Sequence, residues 1–235
     1  MLTKKVLWGF RALVKTAGHG IATTAVIALL VGATHSYAEE LTPVSSSLGS
    51  QGFETIGQEG GVTVYKDPDA EFVRVAAEAT MQVSPAVLLA ALLDYEGQKG
   101  IVKTMSHSQV MSRGPNRLVV YQRLDLPVID DRDYTLNVTW GQEGSNYWVR
   151  FEVAPRDPRP EVDGVVRVPY HSGSWQLQST QGGKATWVRL QTSMDLAGWL
   201  PKWLAKSAAA DEIPKVFTDL CTLLARDRGE GAPCL

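Results

Sequence analysis

The segment from Pro127 to Trp140 reads PVIDDRDYTLNVTW and gathers Asp130, Asp131 and Asp133 around Arg132. Carboxylates this dense hold a divalent cation or run acid–base chemistry when further groups converge on them. They also make turns, because an aspartate side chain bonds the backbone amides just beyond it. Other reactive side chains are sparse. Beyond residue 38 there are two histidines, His107 and His171, and two cysteines, Cys221 and Cys234. Neither histidine has a carboxylate or cysteine at metal-ligand spacing, so no metal and no cofactor is expected. There is no Gly-x-Ser-x-Gly elbow, and QGGK at 181–184 is too short to cradle a phosphate and reads as a hairpin turn. No catalytic set is predicted. The acids take a structural reading, in which Arg132 and Asp133 pair with groups at the rim of a sheet.

The elements that would carry these residues begin after a distinct leader. Lys4, Lys5, Arg11 and Lys15 precede the apolar run IATTAVIALLVGA, and Ser36 and Ala38 place small side chains before Glu39. That order predicts a signal peptide over 1–38, cleaved after Ala38, and an exported chain, periplasmic or secreted. Residue 39 is not cysteine, which excludes lipid attachment there. Cleavage removes four positive charges and no acid, taking the formal charge from −2 to −6. An acidic chain without a basic cluster is a poor partner for nucleic acid or for anionic membranes held by charge alone. In an oxidising compartment Cys221 and Cys234 either pair, stapling the tail to the last helix, or remain a core thiol and a loose one.

Residues 39–51 are Ser-rich and predict a linker, with order beginning near Phe53. Two-residue alternation in GVTVYKD and FVRVAAEATMQV predicts two strands joined by the turn DPDA. A helix is expected over SPAVLLAALLDYEGQKG, opened by Ser84 and Pro85 and closed by glycine. Seven short runs follow, SQVMSR, NRLVVYQRLD, DYTLNVTW, YWVRFEV, GVVRVPY, GSWQLQST and ATWVRLQTSM, and predict a large antiparallel sheet. Ile213, Val216, Phe217, Leu220 and Leu224 keep helical spacing in the last segment, with a kink expected at Pro214. The fold class is therefore α+β, a curved sheet holding a long C-terminal helix.

Tryptophans 140, 148, 175, 187, 199 and 203 all fall in the sheet or the last helix, which suits either an ordinary core or a ligand cavity. DRDYTLNV, then GVVRVPYHSGSW, then MDLAGWLPKWLAKSAAADEIPKVFTDL resemble the START (steroidogenic acute regulatory protein-related lipid transfer) domain family over about residues 52–226, leaving 227–235 as a tail. The resemblance implies a helix-grip fold, with a curved antiparallel β-sheet around a hydrophobic tunnel closed by the C-terminal α-helix. It implies one bound lipid, transient membrane contact and a monomer. Arg132, Asp133, Arg167 and Gly198 to Trp203 are matched positions, the first two bracing the sheet and Arg167 turning a charge toward the tunnel. Sterol-carrying relatives often place an arginine six residues after the Arg-Asp pair's arginine; Val138 stands there, so a sterol is not implied.

Lipid contact is expected from Tyr121, Leu136, Val138, Trp140, Arg167, Trp175, Trp187, Trp203, Ile213, Val216, Phe217 and Leu220. Phe217 in particular is expected to face a tunnel built by the strands of Leu136, Val138 and Trp187. The function expected is binding and transfer of one lipid without covalent chemistry. The alternative is a cyclase- or hydrolase-like enzyme in the same cavity, for which only Arg167, Tyr121 and His171 offer polar groups.

Overall fold

The computed structural model describes residues 47–126, 129–157, 159–197, 202–228 and 234–235, without the side chains of 202–211 and 227–228. The leader 1–38, most of the linker, Pro127, the entry from Gly198 to Pro201, the side chain of Trp203 and residues 229–233 of the tail lie outside the described residues.

β-branched and small residues in alternation build the first strands. In β2 (Val62–Lys66) and β3 (Val73–Met81), Val62, Val64, Val75, Ala77, Ala79 and Met81 are buried on one face. Ala76 points the other way and is covered by Leu48 and Phe53. That small outer cluster explains why Leu48–Gln51, expected in the linker, is instead a 3-10 turn with a buried leucine. An edge strand, β1 (Glu54–Glu59), pairs with β2 and is exposed along its whole length. ETIGQE offers no apolar face, so alternation does not reveal it.

The expected long helix is divided. α1 (Pro85–Leu93) ends at Asp94, whose backbone leaves the helical region and whose carboxylate accepts from the Gly97 amide at 3.0 Å, opening α2 (Tyr95–Gln98). Aspartate competes with the helix for backbone amides, and here it wins. A Cβ on Gly97 would sit 1.9 Å from that carboxylate, so a larger residue would displace the Asp94 side chain.

Seven strands follow: β4 (Met105–Gly114), β5 (Arg117–Leu124), β6 (Asp131–Glu143), β7 (Asn146–Val153), β8 (Val165–Arg167), β9 (Tyr170–Thr180) and β10 (Ala185–Asp195). The sheet runs β1-β2-β3-β10-β9-β7-β6-β5-β4. Its pairings are antiparallel except that β8 lies parallel to the first residues of β6. GVVRVPY is therefore not one strand: Pro169 has no amide to give a ladder, and β9 starts only at Tyr170. QGGK makes the expected hairpin, with Gly182 and Gly183 at positive φ between β9 and β10.

α3 (Lys202–Arg228) passes through Pro214 as a single element and packs on β2, β3, α1 and α2. Cys221 and Cys234 are bonded, with Cα atoms 5.7 Å apart. The Cys234 carbonyl accepts from the Gln82 amide at 2.8 Å, and Leu235 packs against the core. A staple closing so short a loop contributes about 3 kcal/mol in the chain-entropy view.

Two acids of the opening segment, Asp131 and Asp133, are engaged by arginines. Asp131 accepts from Arg123 at 2.8 and 2.5 Å. Asp133, 1% exposed, accepts from Arg167 at 2.6 and 3.0 Å and from the Tyr121 hydroxyl at 3.1 Å. Arg132 is 2% exposed and donates to the carbonyls of Asp130, Leu196 and Ala197, tying the start of β6 to the chain that leaves β10. Arg132→Ala should strand these carbonyls and lower stability by roughly 1–3 kcal/mol. Urea unfolding measures it, and an unshifted midpoint would contradict the bracing role.

Candidate ligand cavity

Period-two alternation points one row of side chains from each central strand toward α3. Gln122 and Leu124 come from β5, Tyr134 and Leu136 from β6, Phe151 from β7, His171 and Trp175 from β9, and Leu190, Thr192 and Met194 from β10. Across from them stand Ile213, Val216, Leu220 and Leu223, one stripe of α3 at helical spacing. Leu92, Tyr95, Gln98 and the segment of Ile101, Val102 and Met105 close the rest. Together they line a half-open cavity of about 330 Å³ with a mainly apolar wall. Gly173 is required by this packing: a Cβ there would lie 2.4 Å from the Phe151 ring, which crosses β9 at that point.

Few polar groups interrupt the wall. Gln122 donates to Ser108 at 3.1 Å and to Gln98 at 3.3 Å. Burial raises the Tyr95 and Tyr134 phenols, so both stay protonated. His171 lies edge-on to Tyr134 and Phe151, with ring centroids 5.1 Å away in each case. Burial lowers its pKa to about 4, so the imidazole is neutral at ordinary pH. On the α3 side of the cavity, burial raises the Asp219 carboxyl, and Glu212 adds to the effect against Lys103 and Lys215.

Of the residues expected to contact lipid, the structure brings Leu136, Trp175, Ile213, Val216 and Leu220 into the wall. The others lie elsewhere, for reasons the geometry makes plain. Val138 and Trp140 share the inward face of β6 but sit beyond the cavity, Val138 within the core and Trp140 half-buried against it. Phe217 is fully buried behind the wall, its ring 5.7 Å from that of Trp175. Tyr121 and Trp187 have the opposite strand phase: Tyr121 lies under Arg159 at 3.6 Å and Trp187 under Arg189 at 5.0 Å. Arg167 does not turn toward the cavity, being held by Asp133 and, at 3.0 Å, by Asp157. Trp203 lies outside the described side chains.

Tyr95, Gln98, Gln122, Tyr134, Thr192 and Met194 were absent from the expected set, and His171 appeared only as an enzymatic nominee. Strand phase finds several of them. Once Leu136 faces inward, Tyr134 must follow, and Trp175 fixes His171 by the same count. Tyr95 and Gln98 depend on the break at Asp94, which periodicity does not show.

A curved sheet closed over an apolar cavity by a C-terminal helix defines a helix-grip domain of the START type. The chain belongs to the family described as polyketide cyclase / dehydrase and lipid transport, whose model matches residues 81–221. Its fold is similar to that of human STARD10, at 18% identity and a TM-score of 0.69 over 77% of this chain and 75% of that one. The STAR-related lipid transfer protein fragment from Xanthomonas axonopodis is similar at 20% identity and a TM-score of 0.67, over 74% and 98%. The Zhui aromatase/cyclase of Streptomyces sp. R1128 follows at 16% and 0.50, over 68% and 98%. A search of curated protein sequences gives no match.

Proposed function

We propose that this protein binds one apolar lipid in the cavity beneath α3 and carries it between membranes without covalent chemistry. The observation that carries the reading is the half-open apolar cavity of about 330 Å³, whose volume lies at the lower end of the range for small-molecule sites. Burying roughly 400 Å² of ligand at about 25 cal/mol/Å² contributes on the order of 10 kcal/mol before ordering costs. So large a stabilisation slows release into water, and contact with a membrane offers the ligand an equally apolar destination. A two-chain lipid requires α3 to move aside. The chain acts as a monomer, exported after loss of residues 1–38. The Cys221–Cys234 disulfide supports that location, because such bonds persist in oxidising compartments.

A second reading is an enzyme of the cyclase kind. The observation favouring it is His171, a neutral imidazole on the cavity wall beside the Tyr95 and Tyr134 phenols. Native mass spectrometry of the chain from Glu39, followed by a fluorescent-lipid transfer assay between vesicles, separates the two. One unaltered apolar molecule per chain and protein-dependent transfer is the expected result. An empty protein that moves no lipid would overturn the proposal, and recovery of a chemically altered ligand would favour the enzyme.

A further inference from the structure

We propose that the ligand of this cavity carries a hydroxyl that donates a hydrogen bond to Nδ1 of His171. This rests on the ligand-binding reading above and narrows it to a chemical class. Its basis is a chain of hydrogen bonds that determines which imidazole nitrogen bears the proton. The Thr192 hydroxyl donates to the Ser172 carbonyl at 3.1 Å. A hydroxyl has one hydrogen, so toward His171 Thr192 offers only a lone pair. Its Oγ1 stands 3.2 Å from Nε2 of His171, and Nε2 must therefore carry the hydrogen. In a neutral ring that leaves Nδ1 bare, an acceptor.

Nδ1 is buried and has no hydrogen-bond partner among the described residues. A buried polar atom left unmet costs free energy, so a native site tends to supply a partner, here from the occupant of the cavity whose wall His171 forms. Tyr95 and Tyr134, on the same wall, give and take hydrogen bonds equally and do not discriminate. The imidazole does. A lone pair at Nδ1 accepts an alcohol or phenol, repels a carboxylate anion, and gains nothing from an ester, ketone or hydrocarbon. The occupant is then a compact apolar molecule with a hydroxyl, and a free fatty acid enters only when protonated.

The test compares 1-decanol with 1-fluorodecane, equal in length but lacking a donor, by titration calorimetry on delipidated protein. Decanol should bind about tenfold more tightly, as one buried hydrogen bond provides. In His171→Phe the preference should fall to about unity. The wild-type Nδ1 nitrogen resonance should move on adding decanol and stay in place with the fluoride, a readout that needs no variant. Equal affinity for the two probes in the wild type, a preference that survives in His171→Phe, or an unmoved Nδ1 resonance at saturation would each overturn the inference while leaving lipid binding intact. If neither probe binds, the proposed function falls and the inference with it.

Discussion

Phe217→Ala should lower stability by about 3–5 kcal/mol, the cost of truncating a fully buried aromatic ring in a close-packed core. Its side chain has no surface left to lose, and its ring leans on Trp175 at 5.7 Å, so the space vacated is lined by atoms that already pack against β9 and α3. Had the ring stood in the cavity wall, alanine would have enlarged a space already present, at little cost to the ligand-free fold. The two cases part cleanly when delipidated protein is unfolded in urea. A loss under about 1 kcal/mol would return Phe217 to the wall. Because Trp175 does line the cavity, the variant should also weaken ligand binding indirectly, through a looser indole.

Acid should destabilise the fold through His171. Above pH 6.5 the imidazole is neutral whether the chain is folded or not, and it adds nothing to the pH dependence. Below that value the unfolded chain takes up a proton that the buried ring refuses until about pH 4. The folded pKa is thus depressed, and the stability present above pH 6.5 is lost as pH falls toward 4. The loss is on the order of 3 kcal/mol at most, and water entering the cavity reduces it. The wild-type urea midpoint should therefore fall further between pH 7 and pH 4.5 than the midpoint of His171→Phe. Parallel curves for the two proteins would show that the ring is solvated and titrates normally.

The periodic parts of this fold are legible in its sequence. Val62 and Val64, the run from Tyr134 to Trp140, and the stripe from Ile213 to Leu224 announce their elements because burial on one face imposes a rhythm on apolar residues. Where no face is buried, the rhythm vanishes, and β1 goes unseen. The break at Asp94 depends on a single carboxylate turning back on its own chain, and the parallel seating of β8 on what β7 leaves free at the start of β6. Neither is periodic. For the cavity, aromatic type was a weaker guide than strand phase. Trp187 was expected inside because it is a tryptophan, yet it stands one residue from Val188 and so faces the other way. The polar groups escaped notice for a related reason: a histidine or tyrosine in a strand carries no mark that its side chain will stand in a cavity wall.

The bond between Cys221 and Cys234 makes the gripping helix a lever with one fixed end. At Cys221 the helix is joined to a tail that is itself tied to the end of β3 through Gln82, and Arg226 reaches Asp94 at 3.1 Å nearby. Thermal motion does not lengthen a covalent tether, so any swing of α3 pivots there and grows toward Val216 and Glu212. In the transfer proposed above, the larger displacement would therefore fall on the side of Val216 and Glu212, with the stapled side as the hinge post. Reduction of the disulfide would turn a one-sided door into a loose panel, with the cavity leaking from both ends.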